Sequence, residues 1–144
     1  MKLWLDDDRM PPDDTWVWCK SSYEAFIAMY RAEQEENYIT HISFDHDLGG
    51  EDEGTYVATY IELRASIGIM KRLNWRVHSD NPWRSKIVAA MEAADRFWDR
   101  NERNDPLFCG EEDKRAVQEE IVNYVDKHFG CLHEQLITVR KQKK

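Results

Sequence analysis

The sequence predicts an α/β protein: a single doubly wound parallel sheet, a three-layer sandwich, with a helical C-terminal extension. Short apolar runs, Lys2–Leu5, Trp16–Cys19, Ile39–Phe44 and Asn74–His78, have the length and β-prone content of buried strands. Helical patterns alternate with them, which is the signature of parallel strands joined by crossovers, with helices on both faces. Strands one, three and four end in polar clusters, Asp6-Asp7, Asp45-His46-Asp47 and His78-Ser79. All three fall on the carboxyl rim, where such folds bind their ligands.

The elements follow in order. Met10-Pro11-Pro12-Asp13-Asp14 cannot continue a strand or helix, because two prolines fix φ and remove donors, so it is a loop. Ser21-Ser22-Tyr23-Glu24 is a capping-box pattern opening a first helix over about 22–35, with Tyr23, Phe26, Ile27 and Tyr30 on its apolar face. Residues 45–54 are rich in glycine and acid and form a loop. Tyr56, Tyr60, Leu63 and Ile67 mark a second helix. Asn81 before Pro82 reads as a cap followed by proline at the first helical position, starting a third helix whose core face is Ile87, Met91, Ala94 and Trp98. Asn101–Gly110 is a polar connection. Val117, Ile121, Tyr124 and Val125 mark a fourth helix, with Gly130 as its stop signal. Leu136–Val139 reads equally as a fifth, edge strand or a helix end. The whole suits one domain over 1–144, with a core of about 1–100 and the extension over about 101–144.

Composition narrows the function. Among 144 residues no run approaches the roughly 20 apolar residues of a membrane span. Met1-Lys2-Leu3-Trp4-Leu5-Asp6 turns acidic too soon for a signal peptide. Cys19, Cys109 and Cys131 are odd in number and lack metal-type spacing, which fits buried or idle thiols in a reducing cytoplasm. The net charge of −8 argues against general DNA binding or any other sequence-independent nucleic-acid binding. It leaves room for a phosphate-containing small molecule or an RNA end held through a divalent cation. The basic run Arg140-Lys141-Gln142-Lys143-Lys144 reads as a solvated tail. Oligomeric state is not legible here.

The stretch Asp45-His46-Asp47-Leu48-Gly49-Gly50 carries the chemistry. A buried, uncompensated carboxylate costs several kcal/mol, on the order of the penalty for breaking a buried ion pair. A strand end that keeps such groups therefore points to a cation or a substrate. Asp6, Asp7 and Asp45, supported by Asp47, form an oxygen-rich set suited to Mg²⁺ or Mn²⁺. His46 and His78 are candidates for general acid or base. Ser79 and Asn81, where strand four turns into a helix, are candidates for binding phosphate, with Arg9 supplying a planar cation. Asp8, Asp13, Asp14 and Arg84 read as solvated. Trp16, Trp18, Trp75 and Trp83 read as core or cleft wall, Trp83 being the one placed to stack on a base.

The Asp6-Asp7 pair and Asp45 resemble the acidic pocket of receiver domains, which hold Mg²⁺ and accept a phosphoryl group on the third carboxylate. Ser79 sits where receivers carry Ser or Thr after strand four, and no counterpart of their lysine after strand five can be placed. Three blocks, Leu5-Asp6-Asp7-x-Arg9-x-Pro11-Pro12, Ser43-Phe44-Asp45-His46-Asp47-Leu48-Gly49 and Val77-His78-Ser79-x-Asn81-Pro82, resemble the cyclic-phosphate processing receiver-like family over about 1–95. The chain departs from that family at Trp83-Arg84-Ser85-Lys86, where a glycine, an arginine and then a methionine are usual. The resemblance implies a receiver-like (flavodoxin-like) fold and action on cyclic phosphate ends of RNA or on cyclic nucleotides. The expectation is a metal-dependent phosphoesterase using Asp45, His46 and His78, with covalent attack by Asp45 as a variant. The alternative is a non-catalytic receiver-like signalling module, phosphorylated on Asp45. A third reading places the activity in the C-terminal helix as a partner surface.

Overall fold

Four strands, β1 (Lys2–Leu5), β2 (Trp16–Cys19), β3 (His41–Phe44) and β4 (Asn74–Val77), pair in the order β2-β1-β3-β4, all parallel. They appear in the computed structural model with four helices: α1 (Ser22–Gln34), α2 (Thr55–Ser66), α3 (Arg84–Arg103) and α4 (Glu111–Gln142). Residues 1–103 and 111–142 are described, the second segment with side chains as far as 129. The chain forms two compact units, Met1–Phe108 and Cys109–Lys144. The expected receiver-like α/β fold with a helical C-terminal part is present.

Register assigns each strand residue a face, because alternate side chains leave opposite sides of a sheet. Leu3 pairs with Val17 and Ile42, and Leu5 with Cys19 and Phe44. Leu3, Leu5, Ile42 and Phe44 are buried. The crossovers through α1 and α2 run in one direction across the sheet, so with the usual right-handed connection they share a face. The Trp75 indole, which pairs in register with Ile42, donates to Asp95 Oδ2 of α3 at 3.0 Å, which puts α3 on that face as well. α1, α2 and α3 thus make one layer on the apolar side of the first unit, whereas the sequence pattern predicts helices on both faces of a three-layer sandwich; the crossovers here run one way across the sheet, which sets their helices on one side. Lys2, Trp4, Trp16, Trp18, His41, Ser43, Asn74 and Arg76 point to the other side.

Several boundaries and faces differ from the sequence expectation. Ser21 Oγ accepts the Glu24 amide at 3.0 Å, as a capping box requires, but the Glu24 carboxylate accepts from the Lys20 amide rather than from Ser21. The buried stripe of α1 is Ala25, Phe26, Met29 and Ala32, while Tyr23 is exposed and Ile27 and Tyr30 are half-buried. Small alanines let the helix approach the sheet, and the bulky aromatics flank the contact. α2 likewise buries Val57, Ala58, Tyr60, Ile61 and Ala65, leaving Tyr56 and Leu63 at the margin. β3 begins at His41, not Ile39. α3 starts at Arg84: Asn81 and Pro82 belong to a preceding turn closed by Arg84 N donating to Asn81 O at 3.0 Å.

Ile87, Met91, Ala94 and Trp98 are buried as their spacing predicts. The connection expected over Asn101–Gly110 is helical as far as Arg103, and its remainder, with Pro106 and Cys109, lies outside the described residues. The stop expected at Gly130 falls one residue earlier, where Phe129 (φ −133°, ψ 30°) breaks the helix; helical structure then resumes and includes Leu136–Val139, which is therefore no edge strand. Cys19 is buried, and burial first, then Glu24, pushes its thiol up to about 12, so it is an inert structural group. The side chains of Cys131 and of the basic tail lie outside the described residues.

Phe44 is wholly buried in the centre of the sheet. Phe44→Ala is expected to lower unfolding free energy by about 3–5 kcal/mol, the cost of a large core cavity, as measured by urea denaturation.

Candidate active site

Leu5, Phe44 and Val77 lie in one row of the sheet. The next residues, Asp6, Asp45 and His78, therefore leave the carboxyl edge side by side. Their backbone is held as well: Asp45 N donates to Leu5 O and His78 N to Phe44 O, both at 2.9 Å, and Asp6 N to Cys19 O at 3.1 Å. One ligand atom from each of Asp6, Asp45 and His78 lies within 4.8 Å of the others, with both aspartates buried.

Asp6 is 1% exposed. Its Oδ1 accepts the Asp8 and Arg9 amides at 2.9 Å each, and its Oδ2 faces His78 Nε2 at 2.9 Å and Arg9 Nε at 3.5 Å. Burial opposes its ionisation, but the Arg9 and Asp8 amides and the His78 ring outweigh it, so its pKa lies below the ordinary carboxylate value. Asp7 is shifted the other way. Desolvation and the neighbouring carboxylates of Asp6, Asp45 and Asp47 push its pKa up. This crowding of negative charge is what a cation relieves.

His78 stacks on Trp4, ring centroids 3.9 Å apart and planes 4° from parallel. Burial lowers its pKa against the pull of Asp6 and Asp45, so the ring is neutral at pH 7. A neutral ring gives a consistent hydrogen-bond chain: Arg76 Nε donates to Ser43 Oγ at 3.2 Å, Ser43 Oγ donates to His78 Nδ1 at 2.7 Å, and His78 Nε2 donates to Asp6 Oδ2. The Trp4 indole donates to Arg9 O at 2.8 Å and the Trp18 indole to Asp6 O at 2.7 Å, which ties the β1–β2 loop over the site. Two carboxylates with an imidazole suit a hard or borderline divalent cation, carboxylates fitting Mg²⁺ and the nitrogen moving the preference toward Mn²⁺.

The structure brings Asp6, Asp45 and His78 together and sets Asp7 within their field. Arg9 is at the rim, paired with Asp6, its side chain 56% exposed. Asp47 is exposed, and its Oδ1 accepts the Gly49 amide at 3.0 Å. His46 is buried with no hydrogen bond at either ring nitrogen. Its charged neighbour is Glu53, at 3.9 Å, so it stands outside the cluster. Ser79 Oγ accepts the Asn81 amide at 3.1 Å, and Asn81 Oδ1 accepts the Trp83 amide at 2.9 Å. Asp45 Oδ1 accepts the His46 amide at 2.8 Å.

Sequence reasoning missed Trp4, Ser43 and Arg76. The signal available was period two: Ser43 is a polar residue inside a buried strand, two positions before Asp45 and therefore on the same side. It also missed Gly54, where a Cβ would lie 2.1 Å from the Asp45 carbonyl oxygen, so that only glycine lets the loop fold back beneath the site. A separate cavity of about 630 Å³, lined by Met29, Tyr38, Ile69 and Trp98 among others, lies toward the opposite ends of the strands. Two of its acids, Glu33 and Glu102, are paired with Arg64 and Arg72, and nothing in its lining matches the chemistry of the strand-end cluster.

A parallel α/β sheet that presents buried aspartates at adjoining strand ends defines a receiver-type domain. Residues 1–93 match the family model of the cyclic-phosphate processing Receiver domain, and the chain belongs to that family. No curated protein and no solved structure matches the chain.

Because the folded His78 pKa is lowered, its contribution to stability is present above its ordinary value of 6.5 and is lost as pH falls through the folded value. Urea midpoints are expected to fall between pH 7 and pH 5 in the wild type and to fall less in His78→Gln.

Proposed function

We propose that this protein is a metal-dependent phosphoesterase acting on cyclic phosphates. The observation that carries the reading is the Asp6–Asp45–His78 cluster, with both aspartates buried, at the carboxyl edge of the sheet, in a chain of the cyclic-phosphate processing family. Asp6 and Asp45 would hold Mg²⁺ or Mn²⁺, with Asp7 beside them. When bound, such a cation offsets charge on phosphate oxygens and makes water more acidic.

The chain's own groups do the rest. Arg9, exposed at the rim, presents a planar guanidinium to two phosphate oxygens. Ser79 uses its oxygen to accept the Asn81 amide and keeps its hydroxyl proton to donate, and Asn81 keeps its side-chain NH₂. Ser79 directly follows His78 and Asn81 lies in the same turn, and both suit the remaining phosphate oxygens. His78 carries a proton at Nε2, oriented by Ser43 and flattened against Trp4. It is the better placed proton donor to a leaving oxygen, and His46, enclosed beside Glu53, is not.

The signalling alternative is the weaker reading. A receiver switch uses a lysine after a fifth strand, and among the described residues the sheet has four strands.

The test is hydrolysis of nucleoside 2′,3′-cyclic phosphates and 3′,5′-cyclic nucleotides with Mg²⁺ or Mn²⁺. Turnover that chelation abolishes and that Asp45→Asn lowers by about 100-fold or more is expected; a lost electrostatic contact to the reacting group costs this much. Absence of metal-dependent turnover across the panel, with a stable mass gain on Asp45 from acetyl phosphate, would replace the enzyme by the switch. His78→Gln is expected to lower kcat by about 100-fold, in line with loss of a general acid, measured on the best substrate of that panel.

A further inference from the structure

We propose that the sheet face opposite α1–α3 is a binding platform for single-stranded RNA, leading a strand to the cluster that the preceding reading makes catalytic; the proposal rests on that reading for its choice of RNA. The protein carries a net charge of −8, yet the strand residues on this face include no carboxylate. They include three indoles, and each has a cation on it: Lys2 Nζ lies 4.6 Å from the Trp16 ring centroid, Lys20 Nζ 4.4 Å from that of Trp18, and the Arg76 guanidinium 5.9 Å from Trp4 and 5.3 Å from Trp16. Asp13, close to Lys2, and Glu24, at the Lys20 amide, stand at its rim. A set of indoles interleaved with cations is the chemistry that stacks bases and tracks phosphates without reading sequence.

Two further observations choose the occupant. Arg76 is exposed and Trp16 and Trp18 are half-buried, so these groups are within reach of a ligand. The face is also continuous with the site: Trp16 packs edge-on against Trp4, ring centroids 5.8 Å apart, and Trp4 carries His78 on its face. A strand lying over Trp16 toward Trp4 would bring its end to His78. Only RNA, with its 2′-hydroxyl, supplies a strand ending in a 2′,3′-cyclic phosphate. The indoles then serve the nucleotides before the end, and the acidic cluster serves the end itself.

The experiment uses the full chain and a short, fluorescently labelled single-stranded RNA ending in a 2′,3′-cyclic phosphate. Binding is followed by anisotropy with divalent metal chelated, so that the end is not consumed. The wild type should bind, with affinity falling as salt rises. Trp16→Ala, and separately the charge reversal Lys2→Glu with Lys20→Glu, should each weaken binding about tenfold or more, the scale of one lost stacked base. The charge reversal alters a half-buried and an exposed lysine rather than an indole, and it keeps the test decisive if Trp16→Ala folds poorly. No wild-type binding, or binding that the reversal leaves within about twofold, would overturn the platform. So would a concentration-dependent dimer that the reversal dissolves, which would assign the face to a second copy. Turnover of a mononucleoside 2′,3′-cyclic phosphate, measured in parallel on the wild type, tests the catalytic reading alone, since one nucleotide does not span the face. Turnover without RNA binding sinks the platform and spares the enzyme; RNA binding without turnover does the reverse.

Discussion

The Asp6 carboxylate is the constraint on which the rest of the first unit's site depends. It is buried, negatively charged and gathered in by partners from three places: the Asp8 and Arg9 amides of its own turn, the Arg9 guanidinium, and the His78 ring from a strand two positions away in the sheet. A buried charge is tolerated only when its oxygens are satisfied. Satisfying them forces the chain after β1 to turn sharply over the edge, and forces β4 to end where its imidazole reaches across. The three-residue row at the rim thus follows from parallel register plus the cost of leaving one carboxylate unpaired.

Beneath that row lies a second, equally constrained one. Trp4, Ser43 and Arg76 stand two residues before Asp6, Asp45 and His78 and so point the same way. Trp4 supplies a flat support for His78, and Ser43 orients its ring nitrogen. The site is therefore built on strands, whose positions are well determined, rather than on loops. Gly54 then lets the β3–α2 loop fold back against the Asp45 carbonyl. In the first unit one face of the sheet carries the apolar core under α1–α3 and the other carries Trp4, Ser43 and Arg76, an asymmetry that three helices spread through the sequence do not announce.

Much of this was legible in the residues. Lys2–Leu5 and Trp16–Cys19 were delimited as strands because continuous apolar runs next to proline or a capping serine leave few alternatives. The polar strand ends were legible for the same reason, since acids after a buried run mark the rim. Helix faces were less so. Aromatic spacing pointed to Tyr23, Ile27 and Tyr30 on α1, where the contact is made by Ala25, Phe26, Met29 and Ala32, because a close-packed helix is selected by what fits, not by what is most hydrophobic. Asn81-Pro82 carried a strong start signal for α3, yet the chain spends those residues on a turn. His46 looked equivalent to His78 in sequence and stands apart from it in space, because it lies in the loop after β3 with its ring beside Glu53.

The sequence by itself determined the class: parallel α/β, with carboxylates delivered to one edge, because strand length, helical period and the chemistry of Asp, His and Gly are local properties. Only the tertiary structure decided which of those groups meet. Asp6 and His78 are 72 positions apart, and Ser43 and His78 are 35 apart. Their contact exists because parallel register aligns Leu5, Phe44 and Val77, and register is a property of paired strands that no single stretch of chain contains.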